Sequence, residues 1–528
     1  MREAAVTAAA SAVLVGVLAA GIAPAGCGDD SAGTEAGAPR VTHAGGATGC
    51  PLVDGCPGPA EKRSLVSFEA IPPAGGTAVR QYFPDIAFPA GATLNLTLRP
   101  AAKLCGAIIK DFSRIPGTVF ARPDPAPIAG ESLSYQDSVT TGGTFCVDLP
   151  TGSYVLRSVP DSADLPPLTT TVTVDTLSKD VDVNYPPHEA MLHVSGFVRM
   201  GFLGIDNVLV KAYDRVTGIE SNSAITATPS DGDPGGAFDL VIPALTGTYT
   251  LLLSATPENP DWPTVEYPDL ITPETTSGME YGFGVVPPAI SLSGAVRNMP
   301  ASETGAQVGF KATIGNGVFT KTVQTSPGGG FETVLREGTY AVTVFPPAGD
   351  SSAGITSFED VIVAAGGPAL DLSLSPKKRV RGAVHYPDGV AGTGVTISAM
   401  RIGSCTTGQA DPGMTPVETV AGADGSYELA LDSGSWDVTF VPPQGVYNAR
   451  AVKRGLCAEK AGALNVVLPR SVVVTGTMFD AFWIPAAGIT FNVYMNHADE
   501  SGRALLIATG LTGASGALVV TLPDLTGP

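Results

Sequence analysis

Val380-Arg381-Gly382-Ala383-Val384 reads as a short strand, apolar–x–Gly–x–apolar, and the same pattern returns at 104–108, 194–198, 292–296 and 474–478. The central glycines, Gly106, Gly196, Gly294, Gly382 and Gly476, stand 90, 98, 88 and 94 residues apart. Self-similarity at a fixed period is the mark of an array, so the chain reads as a row of small modules of about 92 residues. Within each period the order of signals is constant. A second alternating run follows the glycine strand, as in Ile489-Thr490-Phe491-Asn492-Val493-Tyr494, then a tight turn opens an apolar strand. These turns are Gly143-Thr144-Phe145, Gly236-Ala237-Phe238, Gly329-Gly330-Phe331, Asp424-Gly425-Ser426-Tyr427 and Ser515-Gly516-Ala517-Leu518. Gly152, Gly247, Gly338 and Gly434 mark the next turn, each two residues before Tyr154, Tyr249, Tyr340 or Trp436. Glycine supplies the positive φ of such turns, and period-two alternation places one face of each strand in a core.

A closing strand ends the period, for example Leu370-Asp371-Leu372 or Leu464-Asn465-Val466. No window carries a 3.6-residue stripe of helical length. The fold class expected is all-β, a tandem array of about five seven-stranded β-sandwich modules. The expected boundaries are 102–189, 190–289, 290–376, 377–470 and 471–528. Residues 64–101 read as the rear half of a module. The last module breaks off at Leu522-Pro523-Asp524-Leu525-Thr526-Gly527, which matches Ile242-Pro243-Ala244-Leu245-Thr246-Gly247 of the second. It is therefore expected to lack its final strands and to leave a sheet edge unpaired, a template for aggregation. Three readings of the ends stay open: a fragment, a permuted unit with its tail strands first, or head-to-tail self-association in which one molecule's last edge takes another's first strands.

Residues 1–26 read as an export signal, with Arg2 ahead of an uncharged apolar stretch at 4–22. Ala23-Pro24-Ala25-Gly26-Cys27, followed by Gly28-Asp29-Asp30, is similar to the lipobox of bacterial lipoproteins, although Pro24 stands where that family prefers leucine. The resemblance implies lipidation of Cys27 and a membrane partner reached through the lipid, at an outer membrane or cell surface. Secretion after Ala25 is the alternative, then an uncleaved anchor. Residues 27–63 are Gly-, Ala- and Thr-rich and read as a flexible tether.

Six further cysteines make an even set in an exported chain. Cys50 pairs most simply with its neighbour Cys56. Cys105 and Cys146 lie on two strands of one module and point away from its core, which suits a cross-strand bridge if those strands are neighbours. Cys405 and Cys457 sit in the long irregular stretches of the fourth module, where a bridge staples loop to loop. No Cys-x-x-Cys spacing suggests zinc.

The chain carries 50 acidic against 30 basic residues, a net charge of −20, and only 15% of its residues are charged. Such a surface excludes nucleic acid as a partner, because phosphate binding needs clustered Lys and Arg. The five histidines are scattered, and His188-Glu189 lacks the second histidine of a zinc peptidase helix, so no cofactor, metal or catalytic residue is expected. Asp231-Gly232-Asp233 reads as a solvated turn rather than a calcium loop. Of the three tryptophans, Trp436 occupies a core position, whereas Trp262, in Asn259-Pro260-Asp261-Trp262-Pro263, is the candidate ligand contact because an exposed indole can stack on a sugar ring.

The ordered set Val380-Arg381-Gly382-Ala383-Val384, Asp424-Gly425-Ser426-Tyr427 and Gly434-Ser435-Trp436 resembles the carboxypeptidase regulatory-like module, a transthyretin-like sandwich of about seven strands. The other four modules keep the order and vary the residues: the first three replace the Asp-Gly turn, and the fifth has Leu518 in the aromatic place. The resemblance implies a non-catalytic module in a carbohydrate-binding-like fold group that forms tandem arrays on bacterial surfaces. A non-catalytic surface stalk or adhesive scaffold is the expectation. A carbohydrate-binding protein, or the accessory region of an enzyme whose catalytic domain lies beyond Pro528, are the alternatives.

Overall fold

The computed structural model describes residues 51–53, 65–73, 78–87, 93–128, 134–139, 142–187, 190–200, 203–228, 235–243, 247–272, 289–300, 304–347, 352–403, 405, 416–446, 448–496 and 503–524. Among them the named elements are all β-strands, so the fold is all-β, built of sandwich modules in tandem. No helix of the described residues is long and apolar enough to cross a membrane.

The fourth module shows the unit. Its opening strand Lys378–His385 lies between Ser426–Leu431, antiparallel, and Val466–Val467, parallel. The facing sheet runs Val417–Val420, Thr396–Gly403, Ser435–Val441, Ala451–Cys457. Burial alternates strictly along Ser426–Leu431 and Ser435–Val441, so the inward side chains of both sheets, with Val380, Ile397, Leu429, Trp436 and Phe440 among them, form one apolar core.

One hydrogen bond repeats through all five units. The amide two residues after the motif glycine donates to the turn glycine that opens the aromatic strand: Ile108 to Gly143 (3.3 Å), Val198 to Gly236 (2.8 Å), and Val296 to Gly329, Val384 to Gly425 and Met478 to Gly516 (each 2.9 Å). The accepting glycines all have φ between 66° and 87°. A Cβ at Gly425 would stand 2.4 Å from the Val384 carbonyl oxygen, so no side chain fits there.

The motif glycine answers to a different constraint, the close approach of the closing strand. A Cβ on Gly106 would meet the Val181 carbonyl oxygen at 2.0 Å, and one on Gly382 the Leu464 oxygen at 1.9 Å. At Gly476 the same position is filled by Leu94, whose oxygen would lie 1.6 Å away. The strand Thr93–Thr97 runs parallel to Ser471–Phe479 with Leu94 opposite Gly476, just as Leu370 lies opposite Gly294 in the third module. Even the side-chain cap recurs: Asp182, Asn465 and Asn95 accept from the amides of Ala107, Ala383 and Thr477, the residues after their glycines.

The strands Leu65–Ile71, Gln81–Ala87 and Thr93–Thr97 therefore occupy the edge expected to be bare in the last module. Leu65–Ile71 pairs antiparallel with Thr490–Met495, and Gln81–Ala87 extends the sheet beyond it. The four-stranded order Gln81–Ala87, Leu65–Ile71, Thr490–Met495, Leu505–Leu511 is that of the fourth module. Phe68, Leu96 and Leu98 share a core with Met478, Phe491 and Leu518. The strand exchange foreseen between molecules takes place within one chain. The tail strands complete the fifth sandwich, not the first that they precede.

Contacts also link each unit to the next. Arg157 pairs with Glu220 at 3.1 Å, and Val241 joins the first module's core. Thr264–Ile271 pairs with Gly317–Gln324, fusing sheets of the second and third modules into one of eight strands. Asp432 accepts from the Ile355 amide at 3.0 Å. Arg503 lies 3.3 Å from Asp437 across the fourth and fifth units. The Tyr135 hydroxyl donates to the Arg80 carbonyl at 2.6 Å, and Ile128 packs on Tyr494, which joins the fifth unit to the first. The contacts run in a circuit.

Candidate functional site

Cys105 and Cys146 lie directly opposite each other on paired strands, with Cα atoms 4.1 Å apart, and are joined. Cys405 and Cys457 are joined as well, 5.5 Å between Cα atoms. The cluster of Cys405, Cys457 and Glu459 offers no thiolate for a metal, since both sulfurs are in the disulfide. Cys27, Cys50 and Cys56, the His188-Glu189 pair and Asp231-Gly232-Asp233 lie outside the described residues.

Trp262 is not the exposed platform that its Pro-rich loop suggests. It is 7% exposed and belongs to the core of the second module. The loop folds back on itself, the Asn259 amide donating to the Thr256 hydroxyl and the Trp262 amide to the Asn259 carbonyl. The Arg336 guanidinium from the third module then lies 5.5 Å from the centre of the indole ring. Such a stacked cation holds two modules together rather than leaving a face for a ligand. Trp436 is buried too, its indole N–H donating to the Asp432 carbonyl at 2.9 Å as the Tyr340 hydroxyl does to Arg336.

The third tryptophan is the exposed one. Between Ser471–Phe479 and Thr490–Met495 the chain makes a tight turn that presents Phe482, Trp483 and Ile484 at 78%, 71% and 59% exposure. The turn is well braced. One Asp480 carboxylate oxygen accepts from the amides of Phe482 (2.8 Å) and Ile484 (2.9 Å). The Asp480 amide donates to the Ile484 carbonyl at 2.8 Å, and the Trp483 amide to the Asp480 carbonyl at 3.1 Å. Trp483 has φ 62°, a region that a bulky residue enters at a cost of about 1–3 kcal/mol and only where its surroundings impose it. Its ring leans on Phe479, centroids 5.8 Å apart. The corresponding turns of the first, second and fourth modules expose Phe112, Leu203 and Val390. Sequence reading passed over this site; its signal was a run of large apolar residues behind Asp480, where a surface turn calls for polar ones.

The other unusual electrostatic feature lies under the N-terminal strands. Glu69 is buried, yet one carboxylate oxygen accepts from Arg80 and from the Tyr82 hydroxyl (2.9 Å), and the other from Asn492 (2.8 Å) and the Tyr494 hydroxyl (3.0 Å). Burial pushes its pKa up, but the hydrogen bonds from Asn492, Tyr82 and Arg80 together outweigh it and hold the carboxyl below its ordinary value. Burial beside that carboxylate drives the Tyr82 hydroxyl well up. The group ties residues 65–87 to the last module.

No family model and no curated protein matches the chain. Among solved structures it is similar to a streptococcal ancillary pilin, at 10% identity and a TM-score of 0.16 over 70% of this chain and all of that one. It is also similar to the major pilin subunit of Bacillus cereus, at 8% identity and 0.15 over 70% and 99%. A third is a protein described as a putative adhesin from Bacteroides ovatus, at 13% identity and 0.19 over 43% and 83%. No model of the carboxypeptidase regulatory-like module matches the chain, and its β-sandwich architecture is the part of that resemblance that the fold bears out.

Proposed function

We propose that this chain is an exported, non-catalytic surface protein, held to a membrane by lipid on Cys27, whose five sandwich units form a closed scaffold for display or adhesion. The observation that carries this reading is the pairing of Leu94 with Gly476 across 382 residues. A row of five units laid end to end reaches on the order of 150 Å, with its first and last strands at opposite ends. Pairing those strands in one sandwich instead favours a compact circuit over a stalk. The two disulfides support an oxidising compartment outside the cytoplasm. Trp262, on which carbohydrate binding rested, is taken up by packing, so that alternative has lost its residue.

Small-angle scattering tests the scaffold. The exported chain is expected to be a monomer with a maximum dimension well under the roughly 150 Å of an extended row of five units; an extended particle, or chains linked through their ends, would overturn it. Growth with a labelled fatty acid tests the anchor: label is expected on the wild-type chain and absent from Cys27→Ala, and equal labelling of both would refute lipidation at that residue.

A further inference from the structure

We propose that the Phe482-Trp483-Ile484 turn is a bilayer-contact tip that inserts into the headgroup–acyl boundary of a membrane whose surface is neutral; the proposal rests on the reading of Cys27 as a lipid anchor. The three exposed side chains are consecutive, and Ala481 through Gly488 contains no charged residue. Trp favours a membrane interface, with an apolar body for the acyl region and an N–H for the headgroups, and Phe and Ile add apolar surface beside it. A sugar-stacking site would surround the indole with groups that hydrogen-bond hydroxyls. Here the ring leans on Phe479, the residues flanking it in the chain are Phe482 and Ile484, and one oxygen of the nearby Asp480 carboxylate is already engaged by two amides of the turn.

The brace matters as much as the composition. Four hydrogen bonds and the positive φ of Trp483 fix the turn before any contact is made, so little conformational freedom remains to be lost on insertion. The net charge of −20 and the absence of Lys or Arg from the tip argue against an anionic surface.

Length of chain supplies the means of delivery. Cys27 and Pro51 are separated by 24 residues, and Leu52 is already seated in the core of the last module. Twenty-four residues can bridge at most about 80 Å. A sandwich of this kind is about 25–30 Å long, so a connection of that length is enough for the tip to reach the bilayer. Held there, it meets the lipid at an effective concentration in the millimolar range, where a weak contact is largely occupied.

The test uses the Cys27→Ala chain, so its outcome does not depend on whether Cys27 carries lipid. Trp262 and Trp436 are buried, which makes Trp483 the solvent-exposed reporter among the three tryptophans. Titration with phosphatidylcholine vesicles bearing brominated acyl chains is expected to shift tryptophan emission to the blue and to quench it. Phe482→Ser with Ile484→Ser keeps the reporter, alters no core residue, and is expected to weaken vesicle affinity about tenfold or more. No vesicle-dependent shift, the same shift in the double variant, or a shift produced by a soluble neutral glycan but not by vesicles would each overturn the proposal.

Discussion

Replacing Gly476 by alanine should release the N-terminal strands from the last module. The added methyl would stand 1.6 Å from the Leu94 carbonyl oxygen and 2.5 Å from its carbon. These are backbone atoms, so no rotamer change relieves the overlap and the strand Thr93–Thr97 has to move. Moving it exposes Leu96 and Leu98, which are buried in the shared core, and forfeits the Asn95 bond to the Thr477 amide. At about 1.5–3 kcal/mol for each leucine, the attachment weakens by about 3–6 kcal/mol, an upper value because a detached strand stays partly covered. Hydrogen exchange followed by mass spectrometry reads this locally: amides of 93–97 should exchange roughly a hundredfold faster or more, each 1.4 kcal/mol being tenfold. Gly382→Ala is the matched control, since its methyl meets Leu464 within the fourth module and should loosen Val466–Val467 while leaving 93–97 protected. A folded Gly476→Ala chain with wild-type exchange at 93–97 would refute the assignment of that strand.

The remaining predictions concern the groups around this joint and the two staples. Because the Glu69 carboxyl is held below its ordinary value in the folded state, its contribution is fully present above the unfolded pKa of about 4.3 and is lost as pH falls through the folded value. Acid unfolding followed by hydrogen exchange at 65–71 should therefore begin below about pH 4.3, and Glu69→Gln should flatten that dependence while costing about 1–3 kcal/mol at neutral pH. Cys105→Ser with Cys146→Ser opens a 41-residue separation and should lower stability by up to about 4 kcal/mol on the chain-entropy argument, seen as a fall in the urea midpoint of the first module. Trp262→Ala should behave as a core deletion, costing about 3–5 kcal/mol and lowering the calorimetric transition of the joined second and third modules.

What could be read from the sequence was what is local. The glycine strands, the turn glycines with positive φ and the outward cysteines Cys105 and Cys146 each express themselves within a few residues, through period two or through a missing Cβ. The partner of Gly476 does not, because it lies 382 residues away and strand pairing leaves no periodic trace of its partner's place in the chain. A usable signal was nonetheless present: Leu94-Asn95-Leu96 repeats the Leu370-Asp371-Leu372 and Leu464-Asn465-Val466 pattern of closing strands. Trp262 was misread for a related reason. Its proline-rich surroundings describe a loop, while its burial comes from side chains distant in sequence that form the second module's core, with Arg336 of the next module beside the ring. Trp483 was missed because a run of apolar residues between two strands looks like core until the turn at Asp480 throws it outward.

The circuit of modules also sets an order of assembly. Chains are made from the N-terminus at roughly 5–20 residues per second, so Leu94 exists for about 20–75 seconds before Gly476 is polymerised. Through that interval Phe68, Leu96 and Leu98 have no sheet to cover them, and any product that stops short of the strand Ala517–Pro523 leaves them with an unfinished one. The strands at 65–97 thus serve as a built-in check on Ala517–Pro523, marking a chain that stops before it by sticky surface about 400 residues upstream, where chaperones and proteases recognise it.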